Sequence, residues 1–148
     1  MLTHVPQRIA AAIELLSGQP GDHVLEIGCG NGTAAALASE RNRAHLESGK
    51  LSLYGMALES AALGEMQFDK IFAINVNCFW LDFEEPLEVV KRLLKSDGTF
   101  FIFYQQPTTA KMRDISLLLR DNLVQAGFVI KQEIITEPDY CLISSLSE

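Results

Sequence analysis

The feature that most constrains the fold is a short branched run that leads straight into closely spaced glycines and then into a helix-forming stretch. His23-Val24-Leu25-Glu26-Ile27 has the character of a short strand. Gly28-Cys29-Gly30-Asn31-Gly32 follows, and residues 33–46 are dominated by alanine, leucine and charged helix formers, with Gly49 placed to cap them. A strand, a glycine loop and a helix in that order predict the opening unit of an α/β sheet. In such sheets ligands sit outside the carboxyl ends of the strands, and the first strand-to-helix loop is the usual seat. Glycines lack the β-carbons that would hold a ligand away from the backbone, and a helix start at Thr33 and Ala34 offers amide hydrogens that have no intrahelical partner.

The alternation continues along the chain. Apolar spacing predicts a helix over 6–16, with Pro6 in its first turn and Gly18 at its end. Strands are predicted over 51–54 and 68–76, the latter centred on the continuously apolar Ile71-Phe72-Ala73-Ile74, as a parallel strand covered on both faces should be. A helix over 85–94 carries Lys91, Arg92 and Lys95 at the end where the dipole favours cations, and Ser96-Asp97-Gly98 is predicted to end it. An aromatic strand over 99–104, a long helix over 109–126 stopped by Gly127, and strands over 128–135 and 140–144 complete the chain. Strands alternating with helices and closing on a hairpin predict one domain over 1–148. Its fold class is α/β, a Rossmann-like, doubly wound and mostly parallel sheet with a C-terminal antiparallel hairpin at its edge.

Composition narrows the partners. Twelve basic against nineteen acidic side chains leave a net charge of −7, which argues against a ligand held by phosphate neutralisation, such as nucleic acid. The cluster Arg41, Arg43, His45 and Lys50 reads as a solvated helix face. No apolar run approaches the ~18 residues of a membrane span, and the amino terminus lacks a signal-peptide layout. Cys29, Cys78 and Cys141 are too few and too scattered for a disulfide framework or a Cys-x-x-Cys metal site, and the three histidines lack metal-ligand spacing. The expectation is a cytoplasmic protein without membrane contact and without a metal.

The glycine spacing is Gly-x-Gly-x-Gly, whereas the dinucleotide fingerprint is Gly-x-Gly-x-x-Gly, and Thr33 stands where its third glycine would be. Glu26, at the mouth of the strand, would repel a pyrophosphate and attract an ammonium or sulfonium group. Two plainer readings stand beside this one: the glycines make a tight turn, and Glu26 faces water.

Val24-Leu25-Glu26-Ile27-Gly28-Cys29-Gly30-Asn31-Gly32 resembles the first motif of the class I S-adenosylmethionine-dependent methyltransferases. Residues 68–75 resemble that family's fourth strand, and residues 93–100 its following helix end, turn and fifth strand. The resemblance implies S-adenosylmethionine as cofactor. It places Gly28, Cys29, Gly30, Asn31 and Gly32 beneath the methionine part with Glu26 near the amino group, Asn75 and Val76 along the methyl donor, and Met56 and Ala57 at the adenosine side.

The family pattern fails at one point. Members carry an acid that closes the second strand and accepts the ribose hydroxyls, but counting forward reaches Leu51-Ser52-Leu53-Tyr54-Gly55-Met56, which ends in no carboxylate. Residues 41–50 look like the end of the family's second helix leading into its third strand, so the second strand is expected to be missing. A further acid, common after the third strand, corresponds to Met56, and the nearest carboxylate, Glu59, reads as a solvated loop residue. With the gap, strand 51–54 is expected either to pair directly beside the first strand or to leave an edge that associates with a second copy, and a homodimer is the expectation.

Phe79, Trp80 and Phe83 follow the fourth-strand segment and fit a substrate pocket or core packing equally. Tyr104, Gln105 and Gln106 end the aromatic strand and fit the same pocket or a plain loop. Cys29 reads as a small loop residue, since no base accompanies it. No catalytic residue is assigned, because methyl transfer rests largely on positioning. The expected function is methyl transfer to a small molecule. The alternatives are a methyltransferase-like binding or assembly module that has lost its cofactor, and a nicotinamide-dependent reductase.

Overall fold

The branched and aromatic runs of the sequence form one sheet. The computed structural model describes residues 22–27, 51–56, 66–74, 76, 78–105, 108–136 and 139–146. They comprise β1 (Asp22–Ile27), β2 (Leu51–Met56), β3 (Phe68–Ile74), α1 (Cys78–Leu81), α2 (Glu84–Leu93), β4 (Leu94–Gln105), α3 (Thr109–Gln125), β5 (Phe128–Thr136) and β6 (Asp139–Leu146). The helices expected over 6–16 and 33–46 lie outside the described residues.

The strand order is β2-β1-β3-β4-β6-β5. β2, β1, β3 and β4 are mutually parallel, and β6 runs antiparallel to both β4 and β5. The fold is therefore the expected Rossmann-like, mostly parallel α/β sheet with a C-terminal antiparallel hairpin. The hairpin enters with its second strand inward, so β6 is second from the edge and β5 forms the edge. Strand 51–54 is longer than its sequence signal, reaching Met56, and it takes the first of its two expected positions, directly beside β1 with Asp22 opposite Leu51 and Ile27 opposite Met56.

The expected break at Ser96-Asp97-Gly98 is absent. β4 begins at Leu94, immediately after α2, and the register slips between Phe68 opposite Leu94 and Lys70 opposite Thr99. The three turn-forming residues are absorbed as a bulge within the strand, a use of surplus residues that periodicity alone does not distinguish from a turn. Gly98 is needed there because a β-carbon would stand 2.7 Å from Leu94 Cδ1 and 3.0 Å from the Asp69 carbonyl oxygen.

Alternation along the strands divides the interior between the two sheet faces. Leu25, Ile27, Ile71, Ala73, Phe100, Ile102 and Leu142 form a core with Leu87, Val90 and Leu93 of α2 and Leu119 and Leu123 of α3. Val24, Phe72, Phe101, Phe103 and Cys141 are buried as well but do not belong to that core. The phases follow from the period of two in strands and 3.6 in helices. α3 starts at Thr108, whose hydroxyl accepts the Lys111 N–H at 3.1 Å, and ends where Gly127 takes a φ of 95°, the left-handed conformation glycine adopts without strain.

At the amino ends of the strands, Asp69 fastens three of them together. Its carboxylate accepts the His23 N–H at 2.8 Å and Lys95 Nζ at 3.1 and 3.3 Å, joining β1, β3 and β4. Desolvation pushes its carboxyl upward, but the His23 hydrogen bond and the Lys95 ammonium together outweigh that and hold it below its ordinary value of 3.8.

Candidate functional site

A parallel sheet binds ligands where its strand order reverses. Here the chain runs outward from β1 to β2 and then returns to place β3 on the other side of β1. The switch point is therefore the pair of carboxyl ends of β1 and β3, at Ile27 and Ile74.

Glu26 is the penultimate residue of β1 at this point, opposite Gly55 of β2 and Phe72 of β3. It is 4% exposed, so the reading in which it merely faces water does not hold. Its strand neighbours Leu25 and Ile27 belong to the core shared with α1, α2 and α3, and alternation turns Glu26 to the other face of the sheet. A carboxylate buried at the switch point, where an apolar residue would serve packing better, is an acceptor suited to a cationic group. Gly55 adds no side chain on its β2 flank. This chemistry fits the amino acid part of S-adenosylmethionine.

Gly28, Cys29, Gly30, Asn31, Gly32, Ala57, Glu59, Asn75 and Gln106 lie outside the described residues. Val76 is half-buried and packs against the core two residues beyond β3. Met56 is the last residue of β2, level with Ile27 at the switch point, so the strand beside β1 ends without an acid.

The residues considered as pocket walls are resolved in favour of packing. Phe79 is fully buried with its ring edge-on to Phe100 at 5.4 Å, and Trp80 is tilted over Tyr104 at 5.3 Å. Phe83 is half-buried against the same core. Tyr104 is buried too. Its hydroxyl donates to the Met112 carbonyl oxygen at 3.2 Å, fixing the first turns of α3 to the end of β4, and burial raises its phenol far above the ordinary range. Burial also pushes the Cys141 thiol up to about 12, which leaves it inert. Gln105 is half-buried at the end of β4.

One buried polar residue had no sequence signal. Asn122, in the last turn of an otherwise amphipathic helix, donates from Nδ2 to the Phe79 carbonyl oxygen at 3.1 Å, a contact between residues 43 positions apart. Nothing in local pattern announces such a pair.

Residues 25–102, just over half of the chain, match the family described as a methyltransferase domain. No curated protein matches the chain. Solved structures agree in fold. The ribosomal protein L11 methylase of Lactobacillus delbrueckii subsp. bulgaricus superposes with a TM-score of 0.64 at 16% identity, over 96% of this chain and 78% of its own. Magnesium protoporphyrin IX methyltransferase from Synechocystis PCC 6803, with bound SAH, gives 0.62 at 16% identity, over 96% and 83%. A TehB-like SAM-dependent methyltransferase from Corynebacterium glutamicum gives 0.60 at 15% identity, over 94% and 88%. One of these is named for a protein and another for a porphyrin, so the shared fold does not select an acceptor. The family match, the strand order and a buried acid ahead of the glycine loop agree: the chain belongs to the methyltransferase-domain family, of the class I S-adenosylmethionine-dependent kind.

Proposed function

We propose that this chain binds S-adenosylmethionine across the carboxyl ends of β1 and β3 and transfers its methyl group to a small molecule. The observation that carries the reading is Glu26, buried at the switch point immediately before the glycine loop. Glu26 would accept hydrogen bonds from the cofactor's ammonium, Gly28, Gly30 and Gly32 would let the backbone lie against its methionine part, and Asn75 and Val76 would flank the methyl donor. Met56 and Ala57 would border its adenosine, and Cys29 and Asn31 would complete the loop. The bound cofactor supplies an electrophilic methyl group on a sulfonium. The protein's part is to orient acceptor and donor in line and to exclude water. An acidic chain without a basic stripe supports a small acceptor over a nucleic acid, and a cytoplasmic setting accords with its cysteine usage. No helix among the described residues is long and apolar enough to cross a membrane.

Titration calorimetry of the full chain with S-adenosylhomocysteine and with NAD tests this. Saturable heat with the first and none with the second is expected; heat with NAD alone would overturn the reading in favour of a nicotinamide-binding protein.

A second reading has its own support, because β2 ends in Met56 where the family pattern asks for a ribose-binding acid. Loss of a pair of charge-assisted hydrogen bonds, each worth about 1.5–3 kcal/mol, favours a binding or assembly module with weak cofactor affinity. The β2 sequence is uncharged and free of proline, features that leave an edge open to pairing, and we propose a homodimer through it. Sedimentation velocity showing only monomer would refute that association.

A further inference from the structure

We propose that Asn122 is a positioning residue for the cofactor crevice, acting through the one-turn helix α1, an inference that rests on the cofactor site proposed above. α1 spans only Cys78–Leu81 and begins four residues after β3 ends at the switch point. A helix this short has no stability of its own, because nucleation fixes several residues for a single hydrogen bond. Here the Asp82 N–H reaches the Cys78 carbonyl at 3.1 Å, and tertiary contacts hold α1 in place beside that bond. Phe79 and Trp80 anchor it below, against Phe100 and Tyr104. These ring contacts are tolerant of sliding and rotation.

The Asn122 hydrogen bond is not. Asn122 is 7% exposed and sits on the inward side of α3 among Leu119 and Leu123, where an aliphatic side chain would pack without the cost of burying an amide. Its Nδ2 meets the Phe79 carbonyl, one of the carbonyls that a one-turn helix cannot satisfy internally. The bond therefore fixes α1 in both rotation and depth relative to α3. Val76, half-buried against the core, lies two residues before α1, so the anchored helix constrains it toward the β3 side of the crevice. Asn122 touches neither cofactor nor acceptor in this scheme.

Trp80 lies within α1 and is the only tryptophan of the chain, so its fluorescence reports on this helix. The test uses the full chain with Asn122→Leu, which keeps the γ-branched shape and removes the donor, and Asn122→Asp, which removes the donor only while ionised. S-adenosylhomocysteine affinity by calorimetry and acrylamide quenching of Trp80 are measured for each, with thermal unfolding as the control for the fold. Asn122→Leu is expected to weaken binding roughly five- to tenfold, as loss of one buried hydrogen bond would, and to increase quenching while unfolding stays cooperative. Asn122→Asp should bind weakly near pH 8 and approach wild type as pH falls, because the protonated acid donates to the Phe79 carbonyl again; each value is taken relative to wild type at the same pH.

Wild-type affinity in Asn122→Leu would overturn the positioning role while leaving the proposed cofactor site intact. Unchanged Trp80 quenching would overturn the anchoring of α1. Failure of the wild-type chain to bind S-adenosylhomocysteine would overturn the proposed function and with it the role of Asn122 toward a cofactor, and the quenching result would still decide the anchoring.

Discussion

Two carboxylates on neighbouring strands have opposite surroundings. Asp69 stands near the amino end of β3 with a backbone N–H and an ammonium arranged around it, and it binds three strands together. Glu26 stands near the carboxyl end of β1, buried, at the point where the strand order reverses. The amino end of the sheet uses its acid to tie strands together, and the carboxyl end buries one at the switch point, where the function proposed above gives it a cofactor to recognise. The comparison teaches that the two ends of a parallel sheet set different tasks for the same charge, and the Glu26 half of it rests on that proposal.

The largest expected effect comes from disturbing the closed end. Gly98→Val should destabilise the fold by about 2–3 kcal/mol, since a branched side chain must displace Leu94 or the Asp69 backbone, and chemical denaturation would show it as a lowered midpoint. A midpoint equal to wild type would mean that the bulge at Ser96-Asp97-Gly98 is loose and that Asp69 does not hold a tight strand end.

Next in size is Glu26→Gln. Removing the charge should weaken S-adenosylhomocysteine binding by about 1.5 kcal/mol or more while leaving the thermal midpoint unchanged or raised, because a neutral amide is easier to bury than a carboxylate. A variant that loses stability and keeps affinity would make Glu26 a second structural acid and erase the contrast.

Asp69→Ala should cost about 1–2 kcal/mol of stability, as it strips a partly buried N–H of its acceptor, and should leave ligand affinity unaltered. The pH dependence has a definite sign. A carboxyl whose folded pKa lies below its ordinary 3.8 contributes fully above that value, and its contribution is lost as pH falls through the folded pKa. Acid unfolding of wild type and Asp69→Ala should therefore converge below about pH 4; curves that remain parallel would deny the linkage.

The smallest effect belongs to Arg120→Ala. Its pair with Glu133, 3.0 Å long and half-open to solvent, joins α3 to β5 far from either acid, and its loss should change stability by less than about 1 kcal/mol. A larger loss would show that the hairpin side of the molecule, and not only the amino ends of the strands, depends on charge pairing.

Local pattern made most of the described elements legible in the sequence, the one-turn α1 and the early start of β4 excepted. The branched runs of β1 and β5, the apolar centre of β3, and α3 with its Gly127 stop are all written in side-chain character and in backbone freedom, which act within a few residues. The glycine loop after Glu26 and the family it resembles were also legible, because a ligand that must approach the backbone demands residue types at fixed short intervals.

Other features needed the third dimension. Ser96-Asp97-Gly98 has the composition of a turn and became part of a strand, since only pairing with β3 decides whether surplus residues bend the chain or bulge. Phe79 and Trp80 suited a pocket as well as a core until Phe100 and Tyr104 were brought against them from β4. The place of β2 stayed open between pairing beside β1 and offering an edge to a second copy until the sheet assembled, and Asn122 gave no signal at all. The sequence determined the elements and the chemistry of the loop, because those depend on neighbours along the chain. Tertiary structure alone decided which strand lies beside β1, which acid ties strands together and which is buried at the switch point, because these depend on contacts between residues tens of positions apart, whose partners are chosen by the packing of the whole sheet.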